Sequence, residues 1–200
     1  MIVALDEAVR RLGRGELVAY PTETVYGLGA DAFSPDALAR LFALKGREAE
    51  KGLSVLVPDA SALARHTAPL PRTAALLAAR FWPGPLTLVV PVSDPRFAGV
   101  RTLLGVGFRC SPHPAAAALA RAAASPIVST SCNRSGEPPC ASPAEIARAF
   151  GPDLAILAGD PASGLAPSTV VAVSDRGALS LLRAGAIPFA ELERASAAST

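Results

Sequence analysis

The stretch Leu17-Val-Ala-Tyr-Pro-Thr-Glu-Thr-Val-Tyr-Gly-Leu-Gly29 begins as a short apolar run and continues into a polar turn. A second stretch, Ile127-Val-Ser-Thr-Ser-Cys-Asn-Arg-Ser-Gly-Glu-Pro-Pro139, repeats this order of strand, hydroxyl-rich loop, glycine and proline. In α/β sheets, small polar ligands commonly bind at strand ends. The two stretches therefore suit a ligand site, with Gly27 and Gly29 allowing a positive φ or the close approach of a ligand. Threonines and serines that satisfy backbone groups at strand ends are the alternative explanation.

Strand-like apolar runs alternate with alanine- and leucine-rich helical stretches along the rest of the chain, which predicts an α/β or α+β fold. Eight strands are predicted, at residues 17–20, 53–57, 86–90, 105–110, 127–130, 154–157, 170–173 and 179–182. Five helices are predicted to begin near Leu5, Ser34, Pro71, His113 and Ser142. Ser34 and Ser142 each precede a proline, as N-cap residues do, and Glu145 completes a predicted capping box.

The chain has 200 residues, of which 50% are apolar, and this length predicts a single domain over residues 1–200 with a frayed carboxy-terminal tail. A net charge of +2, with charges scattered along the chain, does not indicate broad electrostatic capture of nucleic acid. No apolar stretch approaches the length of a membrane span, so we expect a soluble, cytoplasmic protein with no membrane partner.

Neither the cysteines nor the histidines form a metal-binding pattern. Cys110, Cys132 and Cys140 show no Cys-x-x-Cys spacing, and His66 and His113 do not complete a zinc motif. The sequence predicts that the three cysteines are small buried hydrophobic residues or incidental thiols, with no metal ligand set.

Lysine and asparagine are rare and confined to two short windows. The chain has two lysines, Lys45 and Lys51, against seventeen arginines, and its one asparagine is Asn133. Lys45 continues the apolar stripe of the helix that Ser34 opens, and Gly46 ends that helix. A lysine at such a core-facing position either extends past the edge of the core or points into a cleft. The ordinary alternative is that Lys45 lies at a solvated helix end, where a cation meets the negative end of the helix dipole.

Two arginines, Arg109 and Arg183, each follow an apolar, strand-like run of residues. Guanidinium groups at strand ends are well placed to bind carboxylates or phosphates with paired hydrogen bonds.

Eight motifs in order resemble the YrdC-like threonylcarbamoyl-AMP synthase family, in its short, single-domain type. They are Pro21-Thr-Glu-Thr-Val-Tyr-Gly-Leu-Gly, Lys45-Gly-Arg, Lys51-Gly-Leu-Ser-Val-Leu, Trp82-Pro-Gly-Pro-Leu-Thr, Gly107-Phe-Arg, Ser131-Cys-Asn-Arg-Ser-Gly-Glu-Pro, Pro167-Ser-Thr-Val-Val and Leu182-Arg-Ala-Gly-Ala-Ile. The match runs from about residue 8 to residue 188. The resemblance implies a twisted open mixed sheet flanked by helices around a positively lined cavity.

The resemblance also implies an activity: L-threonine, bicarbonate and ATP give threonylcarbamoyl-AMP and pyrophosphate with the help of Mg²⁺. The product serves tRNA threonylcarbamoyladenosine modification, so tRNA and downstream tRNA-modification proteins are implied partners. By the same match, the family's catalytic tetrad corresponds to Lys45, Arg47, Ser131 and Asn133. ATP contacts are implied for Arg47, Lys51, Ser131, Asn133 and Arg183, and threonine contacts for Thr24, Arg109, Ser129 and Ser168.

The chain departs from some relatives at several positions, Leu56 and Gly52 among them. Leu56 stands where they carry a histidine, and Gly52 stands where they carry a proline. Two other functions stay open at this stage. One is a related carbamoyl-adenylating enzyme with another acceptor, and the other is a tRNA or double-stranded RNA binding module. The low net charge and the scarcity of aromatic residues disfavour RNA binding as the sole function.

Overall fold

The computed structural model describes residues 1–46, 52–67, 69–159 and 166–197. Ten strands lie within these ranges: β1 (Ile2–Val3), β2 (Val18–Tyr20), β3 (Gly27–Gly29), β4 (Ser54–Leu56), β5 (Leu86–Val90), β6 (Val106–Arg109), β7 (Ile127–Ser131), β8 (Ala155–Leu157), β9 (Thr169–Val173) and β10 (Leu179–Arg183). The helices are α1 (Leu5–Gly13), α2 (Pro35–Lys45), α3 (Ala60–His66), α4 (Arg72–Phe81), α5 (Pro114–Ala122), α6 (Pro143–Phe150) and α7 (Phe189–Ala197), with a 3-10 turn at Pro95–Phe97. None of these helices is long and apolar enough to cross a membrane.

All ten strands join one mixed sheet in the order β1-β8-β2-β3-β7-β4-β6-β5-β9-β10. The parallel pairs are β1–β8, β2–β8, β4–β6 and β5–β9. The remaining pairs are antiparallel. The predicted α/β class and the mixed sheet flanked by helices are confirmed.

The two faces of the sheet are covered unequally. On one face, a core cluster joins side chains such as Val55, Leu88 and Phe108 to helices α2, α3, α4, α6 and α7. On the other face, α1 and α5 pack over β2 and β8, and this cluster extends as far as Leu56 and Ile127. The second face is therefore open to a cavity beyond those two residues, over β4, β5, β6 and β9.

The predicted helix caps form, with one change of partner. The hydroxyl of Ser34 accepts from the Ala37 N–H at 3.2 Å, and that of Ser142 accepts from the Glu145 N–H at 3.2 Å. The Glu145 carboxylate accepts from the N–H of Ala141 at 2.8 Å, one residue before the N-cap. This hydrogen bond thus fixes Ala141, the residue that precedes the N-cap of α6.

Four elements were not anticipated: β1, β3, α3 and α7. The predicted frayed tail began at Ala195, but α7 continues to Ala197 and buries Leu192. Residues 198–200 of that tail lie outside the described residues.

Candidate active site

A cavity of about 410 Å³ lies over the part of the sheet that α1 and α5 leave uncovered. The alternation of side chains along a strand builds its floor, because residues two apart point to the same face. β7 contributes Ser129 and Ser131, β6 contributes Gly107 and Arg109, and β5 contributes Thr87 and Val89. Ser54, Ser168, Val170, Leu182 and Arg183 continue this lining on β4, on β10 and around β9.

Arg109 lies at the end of β6 and is held by a buried carboxylate. Its Nη2 lies 2.5 Å from Oε1 of Glu23, and the two side chains are only 10% and 11% exposed. The other carboxylate oxygen accepts from the hydroxyl of Ser111. Glu23, which lies in the polar turn between β2 and β3, therefore fixes one edge of the Arg109 guanidinium.

Two buried polar atoms among the cavity residues have no hydrogen-bond partner within the described part of the chain. They are Nε of Arg109 and Oγ of Ser129. An unsatisfied buried polar group costs about 1–3 kcal/mol, so a ligand that supplies an acceptor and a donor here would be stabilised. The pair suits a carboxylate with a neighbouring hydroxyl or amine.

Arg183 approaches the same cavity from the opposite side. A bulge in the β9–β10 pairing, between Leu181 and Arg183, places both Leu182 and Arg183 along the cavity. Nη2 of Arg183 donates to the main-chain oxygen of Ser168 at 2.8 Å and to its hydroxyl at 3.0 Å. That hydroxyl in turn lies 3.0 Å from Oγ1 of Thr87.

The two arginines share one electrostatic environment. Burial, followed by the positive charge of Arg109, lowers the pKa of the Arg183 guanidinium. Like charges that are held close together favour the binding of an anion between them. No aspartate or glutamate occurs among the described residues that line the cavity.

Lys45 organises the loop after β7. The side chain is 3% exposed, and its ammonium donates to the main-chain oxygens of Ser131 and Asn133 and to Oδ1 of Asn133. Oδ1 of Asn133 also accepts from the hydroxyl of Ser131 at 2.6 Å, and Nδ2 of Asn133 donates to the main-chain oxygen of Glu137. An ammonium has three donors, and three oxygens of this segment face the Lys45 ammonium. Lys45 therefore holds the end of β7 and the loop after it in place.

The predicted core-facing phase of Lys45 is thus confirmed, and Gly46 ends α2 with φ 60° as expected. Six of the ten predicted site residues line the cavity: Thr24, Arg109, Ser129, Ser131, Ser168 and Arg183. Lys45 and Asn133 are bonded to Ser131 just behind the lining. Arg47 and Lys51 lie outside the described residues. All eight predicted site residues that the structure describes therefore lie in or beside one cavity.

A positive φ at Gly27 and Gly29 was one of two explanations for these glycines, and it is wrong; the close approach of a ligand stays a prediction. Neither residue has a positive φ. A β-carbon on Gly27 would lie 2.7 Å from the ring of Tyr20, and one on Gly29 would lie 3.0 Å from it. Both glycines leave room for the buried Tyr20 side chain, and Gly29 also leaves room for Cγ2 of Ile127, which would lie 2.9 Å from its β-carbon. Gly27 also lines the cavity.

Sequence reasoning missed Ser54, Thr87, Val89 and Gly107 as cavity residues. The signal that could have found the last three was the period of the strands. Counting back two positions from Arg109 reaches Gly107, and Thr87 and Val89 share that face of β5.

The cysteines are poor candidates for a nucleophile. All three are buried free thiols. Burial raises the pKa of Cys132 to about 12 and that of Cys110 to about 11. Thiols with such values stay protonated near neutral pH and are poor nucleophiles.

Comparison with known proteins places this site in context. A family profile described as "Telomere recombination", which covers the Sua5, YciO and YrdC proteins, matches residues 10–185. A protein of Halorhodospira halophila named threonylcarbamoyl-AMP synthase is 43% identical over 174 residues, which cover 86% of this chain and 90% of that protein. A Bacillus subtilis protein of the same name is 39% identical over 195 residues, which cover 94% of this chain but 55% of that protein.

A solved structure of P. abyssi Sua5 complexed with L-threonine superposes with a TM-score of 0.87 at 34% identity. The match covers 98% of this chain and 60% of that chain. The structure of E. coli YciO superposes with a TM-score of 0.81 at 23% identity and supports the fold alone.

Proposed function

Because this chain belongs to the Sua5/YciO/YrdC family, we propose that it is a threonylcarbamoyl-AMP synthase. In this reaction L-threonine, bicarbonate and ATP yield threonylcarbamoyl-AMP, pyrophosphate and water. In terms of enzyme class this is a nucleotidyl transfer, because the AMP group of ATP moves to a carbamate oxygen.

One observation supports this assignment most strongly: two guanidinium groups and an unsatisfied serine hydroxyl share one cavity. Arg109 and Ser129 offer partners for the carboxylate and the hydroxyl or amine of an amino acid. Arg183 brings a second cation to the same space. A site of this kind binds two anions side by side, which is what an amino-acid carbamate and a triphosphate require.

The chemistry needs no covalent enzyme intermediate. Threonine carbamate is a dianion, and its new carbamate oxygen attacks the α-phosphorus of ATP while pyrophosphate leaves. The two substrates repel each other, so the enzyme must hold them together and offset their charge. Each charge-assisted hydrogen bond contributes about 1.5–3 kcal/mol, so the two arginines can offset much of this repulsion. Holding the reactants in place then supplies most of the rate.

We assign the threonine carboxylate to Arg109, with Thr24, Ser129 and Ser168 around the rest of the amino acid. The nucleotide phosphates are assigned to Arg183 and Ser131, in a loop that Lys45 and Asn133 hold in shape. The resemblance adds Arg47 and Lys51 to the phosphate contacts. These roles are proposals for this chain.

Mg²⁺ is proposed to enter with the nucleotide. Among the residues that the structure describes, no three acidic, histidine or cysteine side chains converge as a metal site. Mg²⁺ in nucleotide sites commonly relies on substrate phosphates and water for most of its ligands. The chain's own contribution there is to orient the phosphates through Arg183 and Ser131.

We further propose that the product passes to tRNA-modification proteins in the cytoplasm. A positively lined cavity by itself does not distinguish this enzyme from an RNA-binding module. RNA binding would weaken steeply with added salt and would not depend on threonine. Adenylate formation would require threonine and bicarbonate.

The test is to incubate the purified protein with ATP, bicarbonate and labelled threonine, and to separate the products. The proposal predicts a labelled threonine adduct of AMP and one pyrophosphate per adduct. ATP binding without the adduct would refute the proposal. Pyrophosphate release that depends on a different amine acceptor would favour the related carbamoyl-adenylating enzyme.

A further inference from the structure

The two arginines of the cavity lie on one row of the sheet. Arg109 of β6 is paired with Thr87 of β5, and Thr87 is paired with Val170 of β9. Val170 is paired in turn with Arg183 of β10. All four residues line the cavity. Neighbouring strands are about 4.8 Å apart, so the Cα atoms of the two arginines are separated by roughly 14 Å, with Thr87 and Val170 between them.

Of the two residues between the arginines, only Thr87 has a polar side chain. Thr87 is 3% exposed, and its Oγ1 lies 3.0 Å from Oγ of Ser168, which is also buried. The Ser168 hydroxyl accepts from Nη2 of Arg183 at 3.0 Å. Thr87 therefore lies beside Arg109 in the sheet and is linked to Arg183 through Ser168.

The hydroxyl groups of Thr87 and Ser168 carry two hydrogens, and only one of these can lie between the two oxygens. Within the described part of the chain, the other hydrogen has no acceptor. It is therefore available to a ligand in the cavity that both residues line. A carboxylate, which only accepts hydrogen bonds, is a suitable ligand for it.

The contact with Arg183 determines which of the two hydroxyl groups is the better donor to that ligand. An oxygen that accepts a hydrogen bond from a cation donates more strongly through its own hydrogen, because linked hydrogen bonds polarise one another. The Ser168 hydroxyl is in this position. An anion is thus bound best when the Ser168 hydrogen faces it, and this arrangement requires the Thr87 hydroxyl to donate to Ser168.

We propose that Thr87 is a positioning residue for the amino-acid part of the cavity. Its hydroxyl donates to Oγ of Ser168 and thereby directs the Ser168 hydrogen towards the bound amino acid. Thr87 acts through Ser168 and does not itself contact threonine. The inference rests on the proposed function, in which Ser168 is assigned to threonine. It also gives a role to the last residue of the motif Trp82-Pro-Gly-Pro-Leu-Thr.

The test is Thr87→Val, which removes the hydroxyl and keeps the branched shape of the side chain. The KM for threonine in adenylate formation should rise about fivefold, as expected for the loss of one neutral hydrogen bond. The KM for ATP should change by less than about twofold, since Arg183 keeps its bond to the main-chain oxygen of Ser168. Thr87→Ser retains a hydroxyl and should keep the KM for threonine within about twofold of the wild type.

Thr67→Val is the matched control. Thr67 is also buried, and its hydroxyl donates to the main-chain oxygen of Leu63 at 2.8 Å, away from the cavity lining. Each valine variant loses one buried hydrogen bond, so the free energy of unfolding in urea should fall by similar amounts. Only Thr87→Val should change the KM for threonine.

A Ser168→Ala background separates positioning from direct contact with the substrate. In that background Thr87→Val should raise the KM for threonine no further, because Thr87 has lost the group through which it acts. A further rise of about fivefold would show that Thr87 contacts the amino acid itself, and the positioning role would be overturned.

The outcomes also distinguish this inference from the proposed function. If the wild type forms no threonylcarbamoyl-AMP, the proposed function fails and the role of Thr87 fails with it. If the wild type is active and folded Thr87→Val keeps the wild-type KM for threonine, only the role of Thr87 is refuted. If Thr87→Val does not fold, Thr87→Ala removes the hydroxyl without adding a methyl group beside Ser168 and decides the question by the same measurements.

Discussion

The Lys45 ammonium and the Asn133 side chain are joined directly, with Nζ of Lys45 lying 3.2 Å from Oδ1 of Asn133 and 2.9 Å from the Asn133 main-chain oxygen. The contact links the last residue of α2 to the loop that follows β7. A planar guanidinium cannot reproduce three donors on a single nitrogen, which explains a lysine in a chain that otherwise uses arginine.

Lys45→Ala should lower the rate of adenylate formation by about 10²-fold or more, because the loop that presents Ser131 loses its support. The free energy of unfolding should also fall by about 1–3 kcal/mol, since buried carbonyl oxygens lose their donor. Steady-state kinetics and urea titration measure the two effects.

A double-mutant cycle tests whether Lys45 and Asn133 act as one unit. If Lys45 and Asn133 act as one unit, Lys45→Ala/Asn133→Ala should be little slower than either single variant. Fully additive losses in kcat/KM would contradict the structural link.

Glu23 is predicted to position Arg109 for the threonine carboxylate. Glu23→Gln keeps the size of the side chain but removes its charge, so the guanidinium loses a charge-assisted partner. We expect the KM for threonine to rise about tenfold, which corresponds to a loss of roughly 1.4 kcal/mol of threonine binding free energy. The KM for ATP should change less than threefold.

Asp94→Asn is the matched control for Glu23. It neutralises the carboxylate of an ion pair with Arg96, whose side chain is 62% exposed, and exposed pairs contribute little. Equal threonine KM values for Glu23→Gln and the wild type would argue against the positioning role.

Arg183→Lys should weaken ATP binding, because lysine retains the charge but not the fork that bonds Ser168. An increase of about tenfold in the KM for ATP is expected, with a smaller change for threonine. Arg176→Lys provides the control, since Arg176 is exposed in the turn between β9 and β10. A selective loss of threonine binding in Arg183→Lys would instead assign Arg183 to the amino acid.

His66 predicts a pH dependence of stability. Its ring lies 5.2 Å from the ring of Phe97 and 6.2 Å from that of Phe108. Burial, followed by the charges of Arg65 and Arg96, lowers its pKa from the ordinary value of 6.5. The folded protein therefore favours the neutral ring, and the stabilisation is fully present above pH 6.5 and is lost as the pH falls through the lowered pKa.

The measurement is urea unfolding of the wild type and of His66→Phe at several pH values below 7. The wild type should lose stability relative to the variant as the pH decreases through this window. If the free energy of unfolding changed with pH in the same way in the wild type and in His66→Phe, the role assigned to His66 would be contradicted.

All eight predicted strands are present because each has a strong local signal of apolar or β-branched residues. β3 has no such signal. Its sequence, Gly-Leu-Gly, forms a strand because β2 and β7 pair with it on both sides. Pairing between distant segments is a tertiary effect that local propensity does not contain.

The candidate site, like the fold, could be predicted from local sequence only in part. The residue types and their places at strand ends indicated an anion-binding site, and the resemblance supplied the individual positions. The sequence could not show that Glu23 holds Arg109, or that the Lys45 ammonium lies against the oxygens of a loop 86 residues away. Both contacts depend on which strands become neighbours in the sheet.

A crystal structure with L-threonine and a non-hydrolysable ATP analogue tests the central claim most directly. We predict the threonine carboxylate within hydrogen-bonding distance of Arg109 and the triphosphate beside Arg183 and Ser131. The amino group and the α-phosphorus should be close enough for a bridging carbamate to bring its oxygen within about 3–3.5 Å of phosphorus. Threonine and nucleotide bound at separate surfaces, away from this face of the sheet, would contradict the account.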